Sequence, residues 1–307
     1  MWMVKFKKGS WYLAVFLVGM ISLQGCFKND ADIYDANKYF YEDIQTIFTY
    51  VETNSIDAEL DSMSGIFYEF HVQGDGYKTV TGAEVDVHYK ASTLDGFELA
   101  NNFNGNPLSI ILGNASTYTA TVTDALLIAL LKMHEGDSIT IYSPSYHGFR
   151  NNAYQNVPPN SILVYTIKFE EIKSLDDEYA LIDQYILDNN MVANIEPDYG
   201  TRTVIHTSGN TVIPEVGDNV NLHYQLELLD GTVIQSSFNT GIPFNFIIGN
   251  GQTVPGFEMG IRQLHENDSA TIFVPSIYGY GDQARENIPA NSILVFGIKM
   301  LGISKNQ

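Results

Sequence analysis

At 307 residues the chain has room for two ordinary domains, and 45% hydrophobic with 17% charged residues is a globular composition with enough apolar mass for sizeable cores. Lys and Arg number 16 against 36 Asp and Glu, a net charge of −20, which excludes nucleic acid and anionic lipid headgroups as partners held by charge. The acidic balance reads as a solvated surface that keeps the protein soluble.

Lys5, Lys7 and Lys8 form a positive cluster ahead of an apolar run, residues 11–23, that is too short to span a bilayer comfortably. Residues 1–25 therefore read as an export leader. The run ends in Leu23-Gln24-Gly25-Cys26, and Cys26 is the only cysteine in the chain. This resembles a bacterial lipobox, with Gln24 standing where a small residue is usual. The resemblance implies that Cys26 is acylated, becomes the first mature residue and holds the protein to a lipid bilayer; several acyl chains anchor firmly where one is marginal. Losing three lysines and no acids takes the charge from −20 to −23. With its one thiol lipidated, the exported fold has no disulfide and stands on its core alone. Phe27-Lys28-Asn29-Asp30-Ala31-Asp32 reads as a polar tether, and residues 26–65 as tether plus leading helix. A lysine followed by acids also resembles signals for surface export in some Gram-negative bacteria. The expected location is the cell envelope, at the outer membrane facing the periplasm, with surface exposure as the alternative.

Over residues 36–53, Tyr39, Phe40, Ile44, Ile47, Phe48 and Val51 fall at helical spacing opposite Glu42, Asp43 and Gln45. Residues 66–70 read as a strand, residues 85–89 alternate with period two, and Asp95-Gly96 marks a hairpin turn. The same order returns: a helix over 177–191, a strand over 202–206, alternation over 220–224, and a turn at Asp230-Gly231. Tyr224 follows Tyr89 by 135 positions, as Gly231 follows Gly96, whereas Ile288 follows Val157 by 131. The halves are a duplication, and the first carries about four extra residues, placed in the polar stretch 114–123.

Each half also contains one short internal helix. Pro255 suits a first helical position, with Phe257, Ile261 and Leu264 on one side; Thr123 suits a cap, ahead of Leu126, Leu127, Leu130 and Leu131. The fold class is thus α+β: two domains, each an antiparallel sheet of five or six strands wrapped over one short helix and preceded by a helix. The expected boundaries are 66–173 for the first domain, 174–201 for a linker helix, and 202–307 for the second domain. Whether the leading helices dimerise the protein or pack on their own domains is open, and with it the oligomeric state.

The stretch 275–296 sets Tyr278, Tyr280, Ile288-Pro289 and Phe296 on a glycine-punctuated loop running into a strand. Tyr224, Phe244, Phe246, Val254 and Phe257 add large apolar groups with few charges between them. The residue types describe an aromatic pocket with little acid–base equipment. No cofactor is expected. No metal is expected either, since His71, His88, His134, His147, His206, His223 and His265 lack ligand spacing. Gly249-Asn250-Gly251 is a turn and not a phosphate cradle, and residues 143–147 lack the flanking glycines of a nucleophile elbow.

Taken together, Val220-x-Leu222-His223-Tyr224, Asp230-Gly231, Ser236-Ser237-Phe238, Pro243-Phe244-x-Phe246-x-Ile248-Gly249, Val254-Pro255-Gly256-Phe257-Glu258-x-Gly260, Tyr280-Gly281 and Ile288-Pro289-x-Asn291-Ser292-x-Leu294-Val295-Phe296 resemble FKBP-type peptidyl-prolyl isomerases. The resemblance covers residues 202–303 and, more weakly, 66–172. The overall plan is similar to tandem-domain FKBP lipoproteins of the Bacteroidetes type. It implies that Tyr224, Phe244, Phe257 and Phe296 wall a proline pocket, with Tyr280 offering its hydroxyl to a substrate carbonyl. Val254 and Ile288 would form the rim, Phe246 would back the pocket, and Ile234 and Gln235 would meet substrate. The family's usual floor tryptophan is Phe257 here, its aspartate is Gln235, and Ile234 replaces an aromatic, so reduced activity is expected.

In the first half the matching positions are Tyr89, Leu99, Ala100, Leu108, Leu126, Phe149, Val157 and Tyr165, which implies a degenerate, non-catalytic domain. The implied partners are proline-containing exported polypeptides. A non-catalytic peptide-binding lipoprotein on the same scaffold is the alternative.

Overall fold

The computed structural model of the chain describes residues 3–4 and 36–306. The proposed lipidation site Cys26, the tether and all of the leader but Met3–Val4 lie outside the described residues. Met3–Val4 forms β1 beside the first domain, which runs α1 Ala36–Thr53, β2 Glu59–Asp61, β3 Phe67–Val72, β4 Glu84–Thr93, β5 Glu98–Asn101, β6 Leu108–Ile111, α2 Asp124–Leu130, β7 Ser138–Ser143 and β8 Leu163–Ile172. The second runs α3 Leu175–Asp188, β9 Asn194–Ile195, β10 Arg202–Thr207, β11 Asn219–Leu228, β12 Val233–Ser236, β13 Phe244–Ile247, α4 Pro255–Ile261, β14 Ser269–Val274 and β15 Leu294–Ser304.

The sheets are ordered β1-β2-β3-β7-β8-β4-β5, with β6 also on β4, and β12-β11-β15-β14-β10-β9, with β13 also on β11. Every pairing is antiparallel. Six strands per domain repeat the same plan, as the duplication requires, and the short strands β2 and β9 are added by the segments leading into each domain. On β4 the alternation buries Val85, Val87, Tyr89 and Ala91. On β11, Val220, Leu222 and Leu226 are buried on the matching face, but Tyr224 between them is only half-buried. That break in the pattern marks where the second domain opens.

Helix α3 starts two residues before the expected 177 and stops three before 191. Ser174 takes φ 63° as β8 ends, and Asn190 takes φ 53° just past the helix, a left-handed stop that asparagine tolerates. Thr123 occupies the cap position of α2 but makes no capping hydrogen bond. Its hydroxyl is engaged by Tyr165 instead, at 2.9 Å.

Each leading helix packs on its own domain through a repeated latch. The Asp43 carboxylate on α1 accepts from the Ser145 backbone N–H at 2.8 Å and from Ser145 Oγ at 2.6 Å. Glu178 on α3, 135 positions later, accepts from the N–H and Oγ of Ser276, both at 2.5 Å. Ser145 and Ser276 each open a 3-10 turn, Ser145–His147 and Ser276–Tyr278. Helix α3 is further held by Arg202, which grips Asp183 with two 2.9 Å hydrogen bonds and lies 3.7 Å over the Tyr179 ring.

One apolar cluster runs through both domains. Between them, the Tyr278 hydroxyl donates to the Lys78 carbonyl at 2.7 Å and Lys78 Nζ pairs with Asp198 at 2.7 Å, while Tyr199, on the second domain's side, backs Tyr278 edge-on at 5.3 Å. The domains are therefore docked at the base of the loop that carries Tyr280.

Candidate functional site

The aromatic residues singled out in the second half converge. Tyr224 reaches in from β11, Phe244 and Phe246 from β13, Phe257 from α4 and Phe296 from β15. Their rings form a connected chain: Tyr224 to Phe244 at 5.7 Å and to Phe257 at 6.4 Å, Phe244 to Phe246 at 5.4 Å, Phe246 to Phe257 at 5.8 Å, and Phe257 to Phe296 at 4.8 Å. Most of these contacts are edge-on or tilted, the arrangement aromatic quadrupoles favour, worth about 0.5–1.5 kcal/mol per pair beyond area burial.

Phe246, Phe257, Phe296 and Ile288 are buried, whereas Tyr224, Phe244 and Val254 remain half-buried. A closed floor with a partly open rim is a cup. Val254 sits at the cap of α4, where Pro255 sets the first helical turn without needing a backbone donor. Close packing under α4 is permitted by Gly256, since a Cβ there would come within 2.3 Å of Val274. Glu258 on α4 accepts from the Gly249 N–H at 2.9 Å, closing the turn after β13 and so fixing α4 against that strand.

Tyr280 stands beside this ring chain and not within it. Its own ring is covered by the Arg285 guanidinium at 5.5 Å, while Arg285 and Ile288 exchange backbone hydrogen bonds at 2.9 and 3.0 Å across the loop. Burial, with a smaller contribution from the nearby Tyr280, pushes the Tyr224 phenol above its ordinary pKa, so it stays a neutral donor. Among the described residues neither the Tyr224 nor the Tyr280 hydroxyl bonds to protein, which leaves both free for a ligand. Ile234 is half-buried on β12 against the core, and Gln235 beside it is exposed.

A family model described as FKBP-type peptidyl-prolyl cis-trans isomerase matches residues 76–170 and 210–301, more than half of the chain. The chain belongs to this family. It is 26% identical over 227 residues to human "Peptidyl-prolyl cis-trans isomerase FKBP9", covering 72% of this chain and 35% of that protein, so it spans about a third of that curated relative. To "FK506-binding protein 1" of Dictyostelium discoideum it is 34% identical over 103 residues, 33% of this chain and 96% of that protein. The crystal structure of the three FKBP domains of wheat FKBP73 aligns at a TM-score of 0.36 and 20% identity, over 78% of this chain and 95% of the other.

Both halves are thus FKBP domains, yet only one has an open cup. In the first FKBP domain, Tyr89 and Tyr165 take the places of Tyr224 and Phe296, and both are buried. The Tyr89 hydroxyl bonds to Thr121 Oγ1 at 2.7 Å, and the Tyr165 hydroxyl donates to the Thr121 carbonyl at 2.9 Å. The extra residues between β6 and α2 therefore fold into the space a ligand would need, with Val122 buried among them. Phe149, in the Tyr280 position, stacks on Tyr154 at 4.6 Å. Leu126 is fully buried under the closed site, while Leu99, Ala100 and Leu108 pack half-buried at its edge and Val157 is buried.

Two features of the FKBP site escaped the sequence reading. Arg285 could not be placed over Tyr280 without the course of the loop. Glu178 is an ordinary helix-face acid until it is paired with Asp43 across the repeat offset of 135, and Ser276 with Ser145 across 131; that double coincidence was the available signal.

Proposed function

We propose that the second domain is a peptidyl-prolyl cis-trans isomerase acting on proline-containing exported polypeptides at the cell envelope, and that the first is a non-catalytic companion. The observation that carries this is the half-open cup of Tyr224, Phe244, Phe257 and Phe296, with two unengaged tyrosine hydroxyls at its edge. An X–Pro amide must lose conjugation to rotate, over a barrier of roughly 18–20 kcal/mol. In the twisted state the dipolar resonance form is lost and the carbonyl becomes ketone-like, so a water-poor aromatic cup suits it better than either planar isomer. Each ~1.4 kcal/mol of that preference gives about tenfold in rate, without nucleophile, metal or proton transfer. Tyr280 would donate to a substrate carbonyl; Val254 and Ile288 would hold the rim, with Phe246 behind. Ile234 and Gln235 would also meet the substrate.

The test is a prolyl-peptide isomerisation assay on the full chain, with Phe296→Ala as control. Acceleration by the wild type and a drop of at least about tenfold in the variant is the expected result. A folded wild type that binds the peptide without accelerating it would replace this reading by a peptide-binding lipoprotein on an FKBP scaffold.

Acylation at Cys26 belongs to the same reading and is supported by the leader pattern alone. Metabolic labelling with a fatty acid should mark the wild type and not Cys26→Ser; an unlabelled wild type would remove the anchor.

A further inference from the structure

Where the two domains meet, a cleft of about 460 Å³ lies beside the cup. One wall is the first domain, at Thr81, Gly82 and residues 111–115; the other is Ile277 and residues 279–283 of the second. Tyr280 lines this cleft, and two residues before it Tyr278 packs against Gly256 of α4, the helix that carries the cup's Phe257. The two spaces are thus neighbours across one loop.

Three properties of the cleft narrow what it can hold. Its volume is that of an ordinary ligand site, large enough for a short stretch of chain. Among the described residues Asp282 is the only charged side chain on its walls, so neither a phosphate nor another anionic group finds a counter-charge there. Glycines supply four of the lining positions, and a Cβ built on Gly82 or Gly281 would meet nothing within 4 Å, so main chain is presented directly to the open space. Walls of backbone and small uncharged groups recognise another main chain with little regard to its side chains.

We propose that the cleft is a second subsite for the polypeptide whose proline occupies the cup, taking the extended, uncharged stretch beside that proline with the first domain as its far wall. The inference rests on the isomerase reading for the cup and adds a role for the closed domain. The insertion that seals the first domain's own pocket begins at Asn114 and Ala115, which are themselves cleft wall. One run of extra residues therefore accounts for both the lost site and the shared one. The relative position of the walls is fixed by the Tyr278–Lys78 hydrogen bond and the Lys78–Asp198 ion pair.

The experiment compares two peptides with the same prolyl centre, one of about four residues and one of about twelve, the longer reaching well past the cup at about 3.3 Å per residue. Both kcat/KM and Kd are measured on the full chain, then on Ala115→Trp and Thr81→Trp, two exposed positions on the first-domain wall. The wild type should favour the longer peptide by about tenfold in both quantities, and each tryptophan should bring the ratio close to one. Equal values for the two peptides in the wild type, or a ratio untouched by both tryptophans, would overturn the proposal. Length-dependent Kd without acceleration of either peptide would sink the isomerase reading and leave the subsite standing.

Discussion

Tyr280 shows what one atom contributes. Its ring is held by the loop and by Arg285, so Tyr280→Phe should leave the packing in place and remove a hydroxyl that none of the described residues uses. If that hydroxyl donates to a substrate carbonyl, its loss costs about 1 kcal/mol in the transition state, and kcat/KM should fall about fivefold with little change in Tm. Phe257→Ala behaves differently, because the side chain is buried among Tyr224, Phe246 and Phe296. Emptying that position should cost about 3–5 kcal/mol of stability as well as activity, seen as a large drop in the denaturant midpoint. Large apolar side chains between turns made an aromatic pocket legible, and the resemblance to the family's ordered motifs gave Tyr224, Phe244, Phe257 and Phe296 their places in it. Ile234 and Gln235 were assigned by position in a resembling motif, and Gln235 is exposed on β12. Nothing in the composition of the insertion revealed that Thr121 would turn its carbonyl and hydroxyl onto two buried tyrosines.

At the level of elements, the carboxylate–serine latch ties each leading helix to the loop beyond it. Burial raises the Glu178 pKa above the ordinary glutamate value of 4.5, offset in part by the two hydrogen bonds from Ser276. The folded state therefore binds this proton more tightly than the unfolded one, and the contribution to stability is full below 4.5 and is lost as pH rises through the raised value. Glu178→Gln keeps an acceptor for Ser276 and cannot ionise, so its Tm should fall less than that of the wild type between pH about 4 and 7. Glu178→Ala should lose about 1–3 kcal/mol at every pH, since the buried Ser276 N–H is left without a partner. Asp218 has the opposite sign. Lys305 and backbone N–H groups hold its pKa down to about 2, so the stabilisation it gives the end of β15 is present above 3.8 and disappears as pH falls through about 2. Periodicity made the long strands and α1 readable. The short strands β2 and β9, at three and two residues, show no period, and the true start of α3 depended on a left-handed serine.

For the whole molecule, the duplication was readable from two offsets, but the docking of its halves was not, because a domain contact leaves no periodic trace in a sequence. Tyr278 is fully buried at that contact, and its hydroxyl crosses to Lys78. The wild type should unfold in one calorimetric transition, and Tyr278→Ala should separate two, the second domain melting first; a single transition in the variant would show that the halves do not depend on this contact. The sealed pocket of the first domain carries a last consequence for stoichiometry. A drug-like molecule imitating a strained prolyl amide should saturate at one equivalent per chain despite two family domains, so a titration counting two seats would mean that the Thr121 plug swings out in solution.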